Sequence, residues 1–296
     1  MRIFLTGATG FIGSRIVAEL LAGGHQVLGL TRSDSGAQVL AKAGAEPHLG
    51  DLEAPDTLRA GAAKADAVIH TAFDHDFSNF VANCQKDARV ITAMGEALAG
   101  SLRPLIITSG VGLGLAEPGE LAREHVVNLE HGNPRVASEA AGQALSNAGV
   151  NVQVVRLPQV HDVRRQGLVS PYIDVCRQKG RVAYVGEGLN RWSAAHVDDV
   201  ARLYRLAAEQ GRPGERFNAV AEEGVAVRDI AAAVGAGLGV PVTSLSPQEA
   251  AEHFGWLAMF AAMDLPASSA WTRSRLGWSP TGPGLLADLG AMDYAA

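Results

Sequence analysis

The most constraining feature of the sequence is a glycine-rich segment, TGATGFIG, close to the amino terminus. It begins at Thr6, directly after a short apolar run, and ends at Gly13, inside an amphipathic run that continues to residue 22. A strand, a tight turn and a helix in this order can bind an anion, because the first N–H groups of the helix have no intrahelical partner. We therefore expect the phosphates of a dinucleotide to lie against this turn.

The three glycines have separate roles. Gly7 permits the tight turn, Gly10 lets the backbone approach a pyrophosphate, and Gly13 allows the helix to pack closely on the sheet. The residues of this turn that we predict to contact the dinucleotide are Gly7, Thr9, Gly10, Phe11, Ile12 and Gly13.

Short apolar runs alternate with helical patterns through the first half of the chain. The runs typical of strands cover residues 2–6, 25–30, 45–49, 65–72, 105–108 and 151–157. This alternation predicts an α/β fold with a parallel, doubly wound sheet. The runs are rich in Val, Ile and Leu, as expected for strands that are covered on both faces.

The regular alternation ends after Pro158. Helical patterns follow over residues 168–180, 196–209 and 225–237, with a strand over 215–220. We expect a dinucleotide-binding domain over residues 1–160, to which the segment 190–220 returns, and a smaller C-terminal substrate lobe over residues 161–296. The two would enclose a cleft.

Composition excludes several classes of protein. The net charge is −6 and the basic residues are scattered, so nucleic acid is not an expected partner. No apolar run approaches the roughly 20 residues that span a bilayer. The two cysteines, Cys84 and Cys176, are too few for a disulfide framework, and no metal-ligand spacing is present. Because the glycine turn is reached by residue 7, no signal peptide fits before it. We expect a cytoplasmic protein with a small-molecule substrate and, by default, a symmetric homodimer.

The glycine spacing is GxxGxxG, and with the preceding threonine it resembles the fingerprint TGxxGxxG of the extended and atypical short-chain dehydrogenase/reductase superfamily. Further similarity extends over nearly the whole chain. The matching motifs are Gly50-Asp51-Leu52, His70-Thr71-Ala72, Thr108-Ser109-Gly110, Arg156-Leu157-Pro158, Trp192 with His196-Val197-Asp198-Asp199-Val200, and Leu276-Gly277-Trp278-Ser279-Pro280. The resemblance implies a Rossmann fold and a nicotinamide cofactor. It also implies that the cofactor contacts Asp51, Leu52, Thr71, Ala72, Phe73, Ser109, Leu157, Pro158 and Val160.

The end of the second predicted strand distinguishes NADP from NAD. NAD-binding proteins usually place an acid there for the ribose hydroxyls. This chain has Thr31, Arg32 and Ser33 instead, and a guanidinium can pair with a 2′-phosphate through its planar fork. Hydroxyls of Thr31 and Ser33 can add hydrogen bonds. We therefore favour NADP; NAD is the disfavoured alternative, in which Asp34 would be the ribose acid.

The sequence departs from the superfamily pattern at the catalytic residues. Catalytic members of the superfamily use Tyr-x-x-x-Lys, in which the ammonium lowers the pKa of the phenol on the same helix face. None of the four tyrosines of this chain has a lysine four residues later. The corresponding helix reads NPRVASEA, which places Arg135 at the tyrosine position and Glu139 at the lysine position. The chain is therefore identified as an atypical member.

Three interpretations of this replacement remain open. In the first, Arg135 and Glu139 form an i,i+4 ion pair with a structural role only. In the second, Arg135 polarises a carbonyl with Ser109 as a second donor. In the third, His161 or Tyr172 is the acid.

The favoured function is an NADP-dependent reductase that transfers a hydride to the carbonyl of a small or medium organic molecule. Two alternatives stay open at this point: a sugar-type epimerase or isomerase that uses transient oxidation, and a redox sensor that binds NADP without turnover.

Overall fold

The computed structural model of the protein describes residues 1–295. Its strands, in chain order, are β1 (Arg2–Thr6), β2 (Gln26–Thr31), β3 (Glu46–Leu49), β4 (Ala67–His70), β5 (Leu105–Gly110), β6 (Val152–Leu157), β7 (Gln159–His161), β8 (Val182–Val185), β9 (Arg191–His196), β10 (Arg216–Asn218), β11 (Glu222–Ala226) and β12 (Val242–Leu245). Its α-helices are α1 (Phe11–Ala22), α2 (Asp34–Lys42), α3 (Pro55–Ala63), α4 (Phe80–Leu98), α5 (Val136–Asn147), α6 (Val169–Lys179), α7 (Val197–Gln210), α8 (Val227–Leu238), α9 (Pro247–Phe254), α10 (Ala258–Ala261), α11 (Ala270–Leu276) and α12 (Leu285–Ala291).

Seven strands form a parallel sheet in the order β10-β6-β5-β4-β1-β2-β3. The predicted doubly wound α/β fold is therefore confirmed. The strand order reverses between β1 and β4, and at such a reversal the loops diverge to leave a crevice beyond the carboxyl ends of the strands. The Rossmann-like sheet thus provides a ligand crevice where the glycine turn lies.

Helices cover both faces of this sheet. One core cluster joins the sheet to α1 and α7, through side chains such as Ile16, Leu20 and Leu203. The cluster on the other face joins it to α3, α4 and α5, through side chains such as Leu58 and Met94. Both faces of the central strands are therefore buried, which is why their sequences are almost continuously apolar.

The second lobe contains two small sheets, β11-β9-β7 and β12-β8, which the sequence pattern did not reveal. They pack with α6, α8 and α9 around a separate core that includes Trp192 and Tyr172. Two segments from the second half of the chain lie on the main sheet: β10 pairs with β6, and α7 packs against α1. A domain boundary near residue 160 stays a prediction. Within residues 1–295, no helix combines the length and the apolar character needed to cross a bilayer.

Candidate functional site

The glycine turn is packed so closely that two of its positions exclude a side chain. Gly7 has a φ of +70°, and a Cβ there would lie 2.8 Å from Thr71 Oγ1 and 2.9 Å from the amide nitrogen of Ala72. A Cβ on Gly13 would lie only 2.0 Å from the carbonyl oxygen of Gly7. No side chain caps α1, and its first turn carries no acid. The first N–H groups of α1 therefore remain available to an anion, and the turn fits a dinucleotide pyrophosphate.

Thr6 connects this turn to the end of β4. Its buried hydroxyl accepts hydrogen bonds from the N–H groups of Thr71 and Ala72, both at 3.2 Å, and lies 2.7 Å from His70 Nδ1. Thr6 belongs to the sequence motif, but the sequence alone assigns it no role. The structure shows that it fixes the two loops that border the crevice relative to each other.

Most of the predicted cofactor contacts lie at the carboxyl ends of the parallel strands, around one crevice. They are the glycine turn after β1, Thr31 to Ser33 at the end of β2, Asp51 and Leu52 after β3, Thr71 to Phe73 after β4, Ser109 at the end of β5, and Leu157 and Pro158 at the end of β6. Val160 differs, because it lies in β7 and is buried in the core, 4% exposed. Its contact with the cofactor stays a prediction.

The end of β2 leaves one free cation beside the crevice. Thr31 is buried and its hydroxyl donates to the Ser33 carbonyl oxygen at 3.3 Å. The Ser33 hydroxyl accepts the Gly36 N–H at 3.1 Å as the N-cap of α2. Both hydroxyls thus have structural partners. Arg32 is exposed and forms no ion pair within residues 1–295, and Asp34 lies in the first turn of α2, where it complements the helix dipole.

The predicted ion pair between Arg135 and Glu139 is wrong. Glu139 instead accepts two hydrogen bonds from Arg156 on β6, at 2.8 and 2.7 Å, and both partners are buried. Burial alone would raise the pKa of Glu139, but the hydrogen bonds and charge of Arg156 lower it. Glu139 is therefore paired with Arg156 and not with Arg135.

Arg135 is held by three acceptors on three different elements. Its guanidinium donates to Asp87 of α4, to the Ser138 hydroxyl, and to the Thr108 carbonyl oxygen of β5 at 3.0 Å. The guanidinium carbon also lies 4.1 Å from the ring centroid of Phe73, a cation–π contact. Three hydrogen bonds and an aromatic face fix the guanidinium in one orientation at the crevice.

Asp87 extends this network toward the glycine turn. The carboxylate is 2% exposed and lies 3.0 Å from Nε2 of His70, whose Nδ1 contacts Thr6. Burial would raise the pKa of Asp87, but the Arg135 charge and His70 hold it far below its usual range. A continuous polar chain therefore runs from Arg135 through Asp87 and His70 to Thr6.

The other predicted catalytic residues are all buried. Ser109 is 4% exposed, and its hydroxyl has no hydrogen-bond partner among the described residues. His161 is fully buried, with Nδ1 at 2.7 Å from Asp288, and burial lowers its pKa despite that carboxylate. The Tyr172 hydroxyl donates to the Ala183 carbonyl oxygen at 2.7 Å inside the second lobe, where burial raises its pKa. His161 and Tyr172 are therefore core positions with partners of their own, whereas a catalytic role for Ser109 stays a prediction.

A cavity of about 310 Å³ lies between the main sheet and the second lobe. It begins beside Leu157 and Pro158, at the end of β6, and therefore opens next to the cofactor crevice. Most of its wall is apolar, formed by residues such as Leu113, Leu115, Leu168, Trp192, Phe260 and Leu265. Its polar end carries His131, Asn133 and Arg135.

Aromatic residues connect the loop after β4 to the wall of the cavity. Phe77 stacks on Trp256 with ring centroids 4.6 Å apart, and its ring meets Phe260 edge-on at 6.2 Å. Asp264, also in the wall, accepts two hydrogen bonds from the Arg191 guanidinium and one from the Arg191 backbone N–H. Burial alone would raise the pKa of Asp264, but the hydrogen bonds and charge of Arg191 lower it. The Asp264 carboxylate is therefore an anion paired with Arg191.

Sequence reasoning missed Asp87 and Asn133. A polar residue on the buried face of a helix was the available signal for Asp87, since Asn83, Cys84, Val90 and Ile91 mark that face at helical spacing. No pattern in the sequence marks Asn133.

Comparison with known proteins places the chain in a family. The family described as NAD(P)H-binding matches residues 7–181. An uncharacterized protein of Schizosaccharomyces pombe is 46% identical over 295 residues, which cover 99% of this chain and 100% of that protein. A 4-hydroxy-2-methyl-3-oxo-4-farnesyl-3,4-dihydroquinoline-1-oxide ketoreductase of Stigmatella aurantiaca is 30% identical over 236 residues, 73% of this chain and 67% of that protein.

The fold is shared with solved structures of other proteins. The crystal structure of the Thermus thermophilus UDP-glucose 4-epimerase in complex with NAD has a TM-score of 0.75 and 22% identity, and the match covers 99% of this chain and 98% of that one. The match over residues 7–181, together with the glycine turn, the sheet order and the crevice, shows that the chain belongs to the NAD(P)H-binding family.

Proposed function

We propose that the protein is an NADP-dependent reductase that acts on the carbonyl group of an apolar organic substrate of small or medium size. The observation that carries this proposal is the cavity beside Leu157 and Pro158, whose walls are apolar and whose polar end carries the fixed guanidinium of Arg135. Ligand cavities of this kind use apolar walls for affinity and a few polar groups for orientation.

The residues of the chain have distinct roles in this proposal. The amides at the start of α1 hold the pyrophosphate, and Arg32 pairs with the 2′-phosphate. When bound, the reduced nicotinamide supplies a hydride to the carbonyl carbon; the carbonyl π electrons move to the oxygen, which takes a proton from water. Arg135 polarises the carbonyl and stabilises the charge that develops on its oxygen. A guanidinium does not readily give up a proton, so Arg135 is an electrophile and not the acid.

Two observations favour a reductase over the alternatives. A nucleotide-sugar epimerase must hold many hydroxyl and phosphate groups, whereas this cavity is bounded by side chains such as Leu113, Trp192 and Leu265. The Stigmatella relative is named as a ketoreductase of a farnesyl-substituted quinoline, which is also an apolar carbonyl compound. A sensor without turnover has no need of a cavity with an electrophile at its end.

The experiment is a kinetic comparison of Arg135→Lys with the wild type. Oxidation of NADPH is followed by absorbance with a panel of apolar ketones, and NADPH affinity is measured separately by fluorescence titration. Lysine keeps the charge but not the fork that bonds Asp87 and Thr108, so we expect kcat/KM to fall by about 100-fold. NADPH affinity should change by less than about threefold, because Arg135 lies at the substrate side.

Arg89→Lys is the matched control, since Arg89 is exposed on the same helix as Asp87. It should behave as the wild type. NADPH that binds tightly but is not oxidised with any ketone would favour the sensor, and an Arg135→Lys variant with unchanged kcat/KM would remove Arg135 from the mechanism.

A further inference from the structure

The polar end of the cavity is built from alternate residues of one segment, His131, Asn133 and Arg135. They belong to the loop before α5 and are linked to one another through the backbone. The N–H of Asn133 donates to His131 Nδ1 at 3.0 Å, and the N–H of Arg135 donates to Asn133 Oδ1 at 2.9 Å. These two bonds orient the side chains and determine which of their atoms remain free.

The free atoms are all hydrogen-bond donors. A neutral His131 that accepts at Nδ1 carries its hydrogen on Nε2. Asn133 has its oxygen engaged, which leaves its NH₂ group. Arg135 uses three of its five N–H groups on Asp87, Ser138 and Thr108, which leaves two. No described residue accepts from the donors that remain, and all three residues line the cavity.

The three side chains offer more hydrogen-bond donors than the oxygen of one ketone can accept. A carbonyl oxygen has two lone pairs and accepts about two good hydrogen bonds. Three side chains that donate at one end of the cavity therefore suit two oxygens that lie close together.

Charge distinguishes the kinds of two-oxygen group. The positive charge of Arg135 is compensated by Asp87, and the negative charge of Asp264 is compensated by Arg191. Among the described residues that line the cavity, no cation is left without a counter-charge to match a carboxylate. A neutral pair of carbonyl oxygens fits these donors without a further counter-charge.

We propose that the donors of His131, Asn133 and Arg135 together bind two neighbouring carbonyl oxygens, that of the carbonyl which is reduced and a second one, and that the substrates are apolar 1,2-dicarbonyl compounds. This inference rests on the proposed function. One carbonyl receives the hydride at carbon and a proton from water at oxygen, which yields a hydroxy ketone, and NADPH becomes NADP⁺. The second carbonyl is bound but unchanged.

The test compares 1-phenyl-1,2-propanedione with propiophenone, which has the same carbon skeleton but one carbonyl. Diketones are intrinsically more reactive, so affinity for the NADP⁺ complex is measured by calorimetry alongside NADPH oxidation. We expect the diketone to bind about tenfold more tightly than the monoketone, as one or two additional hydrogen bonds would give.

The decisive variant is Asn133→Asp. It retains the oxygen that accepts the Arg135 N–H but replaces the NH₂ donor with a second acceptor, so the ratio of the two dissociation constants should fall toward 1. Asn128→Asp is the matched control: Asn128 forms the same kind of turn, with Oδ1 accepting the Glu130 N–H at 3.1 Å, but is exposed outside the cavity. It should keep the wild-type ratio. If Asn133→Asp does not fold, His131→Phe removes a different donor from the same set.

The outcomes separate the two proposals. Equal affinity of the wild type for both ketones, or a ratio that Asn133→Asp and His131→Phe leave unchanged, overturns the dicarbonyl inference while the reductase stands. If neither compound is reduced, the proposed function fails for this substrate class, and the ratio of dissociation constants still decides whether the donor set recognises a second oxygen.

Discussion

Because α1 packs so closely on the glycine turn, a single methyl group added at Gly13 should strongly weaken NADPH binding. In Gly13→Ala the new Cβ would start 2.0 Å from the Gly7 carbonyl oxygen, whereas real contacts are at least 3.0 Å, so helix and turn must separate by about 1 Å. That shift displaces the amides at the start of α1 from the pyrophosphate. We expect NADPH to bind at least about tenfold more weakly, a loss of ~1.4 kcal/mol. Overpacking should also cost about 1–3 kcal/mol of stability, partly offset by ~1 kcal/mol of helix propensity.

The assay is a fluorescence titration with NADPH, together with urea unfolding of the protein without cofactor. Gly290→Ala is the control, because Gly290 also lies in a helix but its Cβ would have no heavy atom within 4 Å. This variant should bind NADPH normally and gain up to ~1 kcal/mol of stability. A Gly13→Ala protein that binds NADPH as tightly as the wild type would show that the spacing of turn and helix does not position the pyrophosphate.

Three further predictions follow from charged groups. Arg32→Ala should weaken NADPH binding at least about tenfold but leave NADH affinity almost unchanged, measured by parallel titrations; equal losses would contradict the assignment to the 2′-phosphate. The pKa of Asp87 is depressed in the folded state, so its carboxylate stabilises the protein above about pH 4, and this contribution is lost as the pH falls further. Asp87→Asn should therefore be less stable at neutral pH and show a flatter decline in the free energy of unfolding between about pH 4 and 2; parallel curves for variant and wild type would refute this. Glu139→Gln leaves the buried Arg156 without its anion and should cost about 3–5 kcal/mol in urea unfolding, whereas Glu96→Gln at the surface should cost less than about 1 kcal/mol.

The strands of the main sheet can be predicted from the sequence because a short apolar run marks each of them. The glycine turn and the apolar runs predict β1, β3 and β6 to within one residue of their observed starts. The strands β8 and β12 were not predicted, since they lie outside the regular strand–helix alternation of the first half and pair with each other, Val182 opposite Val242, in a separate two-stranded sheet. Such pairing depends on long-range packing, which no short window of sequence contains.

The candidate site also has one part that the sequence predicts and one part that depends on tertiary contacts. Cofactor contacts follow from their place after each strand, whereas the partners of Arg135 follow from tertiary contacts. Helical spacing favours Glu139 as its partner, but that carboxylate lies under β6 and meets Arg156 instead. The residue that holds Arg135 is Asp87, on a helix 48 positions earlier. The spacing of residues within α5 therefore does not reveal that Asp87 is the partner of Arg135.

The bonds between Arg135 and Asp87 also limit how this protein can be redesigned. Arg135 occupies the position of the tyrosine in catalytic relatives, so restoring the usual proton donor there looks like a single substitution. A phenol at that position would leave Asp87 as a solitary anion in the protein interior, next to His70 and one step from the phosphate-binding loop. A tyrosine could therefore be introduced at residue 135 only through coordinated changes on two helices, with Asp87 neutralised before or together with Arg135.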